Sequence, residues 1–178
     1  MAGPLKLGAQ ALAVMGVGIL ASLLGWNLTH QTPPPKVGAP APAFSLHRLT
    51  GDGDLSLRSF RGKTVVLNFF ASWCHPCKRE APDLESVWRR YRSDGLVVLG
   101  VDYHDLGSDA RRFVSAHSLT FPMLEDGSGN VTGRYGISQV PETYVLDRHG
   151  RVVAHLRGPL TDPGFAGEFQ SAIAKAAE

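Results

Sequence analysis

Apolar residues are distributed along the chain in three patterns. The first is an unbroken block: residues 7–28 (LGAQALAVMGVGILASLLGWNL) are 22 positions without a charge, with Gln10 and Asn27 near the ends as the strongly polar members. As a helix at about 1.5 Å per residue, such a block spans roughly 33 Å, enough for a bilayer core of about 30 Å. The second pattern is a short run apolar on both faces. Thr64-Val65-Val66-Leu67-Asn68-Phe69-Phe70 and the run 96–101, introduced by Asp94-Gly95, read as buried central strands. The third is the helical period. Leu84, Val87, Trp88 and Tyr91 recur at i, i+3, i+4 and i+7 within 76–92, with Lys78, Arg79, Arg89 and Arg90 on the outer side. Pro82 falls inside that helix and is expected to kink it. A further helix is expected from 108–109 to about 117, and a last one over 162–176. Strands 143–146 and 152–156 flank the hairpin signal Asp147-Arg148-His149-Gly150. Strand–helix–strand followed by hairpin and helix predicts an α/β sheet layered with helices.

The N-terminal block divides the chain into a stub (1–6), a transmembrane signal anchor (7–28), a linker (29–42) and a folded domain (43–178). Lys6 precedes the block and no Lys or Arg follows until Lys36. The positive-inside bias therefore expects the stub in the cytoplasm and the domain outside, on the cell (inner) membrane, with Trp26 at the interface. A cleaved secretory signal is the alternative. Its apolar region runs about 7–15 residues before a small-x-small site, whereas this block is longer and ends in Gly25-Trp26-Asn27-Leu28-Thr29-His30. Either outcome expects an extracytoplasmic domain. Five prolines (33, 34, 35, 40 and 42) within 31–42 favour an extended, semi-rigid spacer.

Charge changes the picture by subtraction. Lys plus Arg number 18 against 16 Asp plus Glu, so the chain lacks the basic footprint of a nucleic-acid binder. Two cysteines occur, Cys74 and Cys77, too few and too close for a disulfide framework. The pair lies between a buried strand and the first turn of a helix. Free N–H groups and the positive dipole end favour a thiolate at Cys74 there, and Cys77 is spaced to attack a mixed disulfide formed on it. Pro76 suits a helix start, since its φ is fixed and the first turn has no use for its missing N–H. His75 is a candidate to tune the thiolate, and Trp73 is expected to cover one side of the pair. Zinc is disfavoured because a second ligand pair is missing. Capture of Cu(I) by two sulfurs stays open, but nothing in the pattern asks for a resident metal or cofactor.

The segment Phe69-Phe70-Ala71-Ser72-Trp73-Cys74-His75-Pro76-Cys77, together with Gly136-Ile137-Ser138-Gln139-Val140-Pro141-Glu142-Thr143-Tyr144-Val145-Leu146-Asp147 and Gly158-Pro159-Leu160-Thr161, resembles the thioredoxin superfamily. The membrane-tethered branch of cytochrome c maturation (ResA, TlpA and the CcmG/DsbE type) fits best, over essentially 40–176. The resemblance implies a thioredoxin fold, a mixed sheet flanked by helices, with an N-terminal β-hairpin and a central insert at about 102–126. It also implies a cis Pro141 near Cys74, with Val140 offering its backbone to a bound extended peptide. The buried Asp usual six residues before the first cysteine is replaced by Asn68. The resemblance therefore moves proton handling to Glu80, at i+3 from Cys77, with Glu142 as the second candidate.

The function expected on this basis is a protein-disulfide reductase that opens apocytochrome c disulfides before haem attachment. A membrane carrier of the CcdA or DsbD kind would recharge it. Reduction of copper-delivery proteins for respiratory oxidase is the near alternative. A non-enzymatic module holding apocytochrome or Cu(I) is the alternative of a different class. A peroxidase of the peroxiredoxin type shares Phe44 and Gly62-Lys63, but that chemistry wants a hydroxyl where this chain has Ala71, and a distant resolving cysteine it lacks.

Overall fold

The computed structural model describes residues 4–29 and 33–177 and divides the chain into two units, Met1–Thr32 and Pro33–Glu178. The first unit holds one helix, α1 (Pro4–Thr29, 26 residues), which contains the uncharged block. Among the described residues no helix is long and apolar enough to cross a membrane. The side chains at 7–11, 13, 24, 27 and 28 lie outside those residues, as do residues 1–3 of the expected stub and 30–32 of the expected linker.

In the second unit the long strands are β3 (Thr64–Phe70) and β4 (Leu96–Asp102), buried along their whole length and paired in parallel. Their Val, Leu and Phe side chains suit a pleated surface covered on both faces. Around them run β1 (Ser45–Arg48), β2 (Asp54–Ser56), β5 (Met123–Glu125), β6 (Glu142–Leu146) and β7 (Val152–Leu156). The mixed sheet has the order β2-β1-β5-β4-β3-β6-β7, so β3 lies between β4 and β6. The helices are α2 (His75–Tyr91), α3 (Gly107–Ala116), the short α4 (Asn130–Arg134) and α5 (Pro163–Ala176). The β1–β2 hairpin and the α3–β5 segment occupy the places expected for the N-terminal hairpin and the central insert.

Alternation along β3 distributes two cores. Val66 and Phe70 meet Cys77, Ala81 and Leu84 of α2, Phe113 of α3, and Phe169 and Ile173 of α5. Val65, Leu67 and Phe69 face the opposite way, toward Phe44, Val131, Tyr135 and Tyr144. Asn68 shares the α2 side by the same alternation, and Glu142, two residues before Tyr144, shares the other.

The expected spacer 29–42 is not uniform. From Pro33 onward the chain belongs to the folded unit. Gly38 N donates to Val152 O (2.7 Å), Val152 N to Ala39 O (2.9 Å), Ala41 N to Gly150 O (2.9 Å), and Tyr135 Oη to Pro42 O (2.9 Å). Prolines favour an extended strand-edge conformation but supply no N–H; Gly38, Ala39 and Ala41 supply the donors and acceptors between them. Gly136 fixes the start of this strap. Its φ is +64°, and a Cβ there would meet Pro34 N at 2.8 Å. Gly136→Ala is therefore expected to cost about 1–3 kcal/mol in urea unfolding; unchanged stability would show that the strap does not bear on Gly136.

Candidate active site

The disulfide lies at the end of β3. After Ala71 the backbone turns, Cys74 N donates to Ala71 O (3.1 Å), and Cys74 in extended geometry (φ −76°, ψ 111°) becomes the N-cap of the 17-residue α2. Pro76 sits in the first turn, where no donor is missed. Cys74 and Cys77 are joined as a disulfide and are buried, at 3% and 1% exposure. Cys77 N donates to Cys74 Sγ (3.1 Å). In the reduced form the same N–H, with the helix dipole behind it, favours negative charge on Cys74.

Glu80 stands one turn after Cys77 and is 1% exposed. Its Oε1 accepts from Asn68 Nδ2 (2.9 Å) and its Oε2 from Leu160 N (2.9 Å), while Asn68 Nδ2 also donates to Thr143 Oγ1 (3.0 Å). One carboxyl group thus links α2, β3, β6 (through Asn68) and the loop before α5. Burial pushes its pKa from 4.5 up to about 7; the Leu160 and Asn68 donors oppose the shift and Asp83 adds to it. A cavity of about 10 Å³, lined by Asn68, Cys77, Phe70 and Ala81 among others, leaves space for at most about one water beside the inner sulfur. Glu80 and Cys77 are both buried, one turn apart on α2.

The Val140–Pro141 peptide is cis, Pro141 is buried and Val140 is half-buried. Because β6 pairs with β3, with Glu142 opposite Phe69, this loop stands beside the Cys74 turn. Glu142 itself is not brought to Glu80. It is wholly buried on the other face of the sheet, where Oε2 accepts from His155 Nε2 (2.6 Å), with Arg157 Nε at 3.8 Å, and Oε1 from Ser138 N (3.4 Å). Its visible contacts brace the cis-proline loop. His75 is exposed. Trp73 is 59% exposed, and its ring packs against Tyr103 (centroids 6.5 Å apart).

Two contributors escaped sequence reasoning. Asp105 accepts from Ser72 N and from Ser72 Oγ (2.9 Å), tying the insert to the turn before Cys74. Thr143 completes the Asn68–Glu80 chain. Neither has a local signal, since each acts across 33 and 75 residues of chain respectively. Among the described residues no group of three or more His, Cys, Asp or Glu side chains is placed to hold a metal ion.

Residues 37–155 match the AhpC/TSA family, well over half of the chain. The chain belongs to the AhpC/TSA family. Within it, the similarity is to thiol–disulfide oxidoreductases of the ResA and DsbE type. The chain is 34% identical over 125 residues to the thiol–disulfide oxidoreductase ResA of Geobacillus thermodenitrificans, covering 70% of this chain and 71% of that one. It is 37% identical over 139 residues to the thioredoxin-like protein YneN of Bacillus subtilis (74% and 80%). Among solved structures, a Chlorobium tepidum protein assigned to the DsbE type superposes with a TM-score of 0.75 at 28% identity, covering 81% of this chain and 99% of that one. A secreted Mycobacterium tuberculosis disulfide oxidoreductase homologous to E. coli DsbE gives 0.64 at 26% identity (74% and 95%). With the Cys74–Cys77 pair at the start of α2, the protein is a thiol–disulfide oxidoreductase of thioredoxin fold.

The raised pKa of Glu80 fixes the sign of a pH effect. Below about 4.5 the group is protonated in both folded and unfolded chains, and its contribution is at its most favourable. As pH rises to about 7 the unfolded chain ionises first, so stability falls. The oxidised protein is expected to lose about 3 kcal/mol over that window through this group, measured by urea unfolding at several pH values. Glu80→Gln should flatten that slope; parallel curves for the two proteins would contradict the assignment.

Proposed function

We propose that the protein is a membrane-tethered, extracytoplasmic dithiol reductant that opens disulfides in apocytochrome c before haem attachment. The observation that carries this reading is the buried Glu80 beside the resolving Cys77. A dithiol that gives electrons away must lose two protons near neutral pH, and a carboxyl group with a pKa of about 7 is suited to take one of them. The uncharged block 7–28 within α1 supports the tether, and the relatives named ResA and DsbE support the reaction class.

The reaction proceeds from the reduced form. Cys74 thiolate attacks one sulfur of the substrate disulfide, forming a mixed disulfide and releasing one substrate thiolate, which takes a proton. Cys77 passes its proton to Glu80, and its thiolate attacks Cys74 Sγ. This forms the Cys74–Cys77 disulfide and releases the second substrate sulfur as a thiolate, which takes a proton from solvent. Two electrons move from the protein dithiol to the substrate. A dithiol carrier in the membrane, of the CcdA or DsbD kind, restores the reduced state. Val140, beside cis-Pro141, offers backbone to the substrate chain at this stage.

Cys77→Ser removes the resolving thiol, so a mixed disulfide through Cys74 is expected to accumulate in cells and to be separable on non-reducing gels. Its partner, identified by mass spectrometry, is expected to be apocytochrome c. A copper-delivery protein in its place would shift the substrate assignment, and binding without a covalent adduct would sink the reductase reading. Replacing residues 1–32 with a cleavable secretory signal is expected to move the protein from the membrane to the soluble extracytoplasmic fraction; continued membrane residence would contradict the tether.

A further inference from the structure

The sheet order puts the Cys74 turn between two loops, because β3 has β6 on one side and β4 on the other. The β6 side carries the cis-proline loop. The β4 side carries residues 103–106, the start of the insert, and this loop is fastened to the active-site turn. Tyr103 N donates to Phe70 O (2.8 Å), and Ser72 donates to the Asp105 carboxylate through both its N–H and its hydroxyl. Asp105 Oδ1 also accepts from Leu106 N (3.0 Å), which fixes the next residue. The loop therefore holds its place relative to Cys74 and does not drift as an independent appendage.

What the loop presents is apolar. Among the described residues of the folded unit, the large hydrophobic side chains counted as exposed are Val37, Trp73 and Leu106. Two of these three stand at this rim, Trp73 at 59% and Leu106 at 69% exposure. A leucine held in water on a loop bonded to the turn before Cys74 gains from contact with apolar surface that arrives with a substrate. On the reductase reading the substrate is a polypeptide disulfide, and a chain crossing Cys74 between the two loops has the Leu106 rim as one wall.

We propose that Leu106, positioned by the Asp105–Ser72 clamp, forms with Trp73 the second wall of the substrate cleft. It selects extended chains that carry a large apolar side chain next to the reacting cystine. This inference rests on the reductase reading and names its specificity determinant. Asp105 acts here as a positioning residue, through Leu106 and Ser72.

The test uses the full chain in detergent, reduced, with two synthetic peptides that each hold one internal disulfide and differ in a single residue beside a cysteine, Leu or Ser. Wild type is expected to favour the Leu peptide by about tenfold in kcat/KM, with the difference in KM. Leu106→Ser should bring that ratio close to unity, while Leu106→Met keeps most of it. If Leu106→Ser retains the wild-type ratio, or wild type shows no preference while reducing both peptides, the inference fails and the reductase reading stands. If wild type reduces neither peptide, the reductase reading itself fails and takes the inference with it.

Discussion

A carboxyl group buried almost completely from water has to be neutral, paired with a cation, or surrounded by donors. Glu80 has two donors, Asn68 and Leu160 N, and among the described residues no cation pairs with it. The donors hold the side chain in place without cancelling the cost of burying its charge, so its pKa stays near 7. Much of the active end of the molecule follows from satisfying this one group. Asn68 of β3 reaches it from below and takes Thr143 of β6 as its second acceptor. The chain after β7 must bring Leu160 N to within 2.9 Å of it before α5 can begin.

The sheet separates two tasks. On the α2 face lie the disulfide, Glu80 and the small cavity beside Cys77, the groups to which the proposed reaction assigns proton and electron transfer. On the other face Glu142, His155 and Arg157 form a polar cluster whose visible contacts brace the cis-proline loop through Ser138 N. Glu142 and Glu80 are therefore not interchangeable. One lies on the side of the sulfurs, and the other contacts the cis-proline loop through Ser138 N. Ala71, where peroxidase chemistry of the peroxiredoxin type would want a hydroxyl, is fully buried just past the end of β3 and has nothing to donate.

The long elements were legible because their patterns are long. β3 runs over the seven residues expected, α2 lies within a residue of its expected bounds, and α5 covers nearly all of 162–176. The short strands β1, β2 and β5 and the single-turn α4 carry too few residues to show a period, and they are stabilised by neighbours distant in sequence. The prolines of 33–42 favour extension, but whether an extended segment hangs free or lies on a sheet depends on the partner it finds, here Val152, Gly150 and Gly136. At the site, Cys74, Cys77, Pro76 and Pro141 were readable from spacing and motif. The place of Glu142 needed the strand register, because one residue along a strand exchanges one face for the other. Asp105 and Leu106 needed the tertiary fold.

The role proposed for Glu80 requires its buried carboxyl group to titrate near neutral pH. A titration of its side-chain carboxyl carbon by NMR, with the glutamates ¹³C-labelled and the Glu80 signal assigned by its loss in Glu80→Gln, measures this. The predicted result is a midpoint near 7 in the oxidised protein. A midpoint near the ordinary glutamate value of about 4.3 would show that burial does not hold its proton, and would contradict the role given to it beside Cys77.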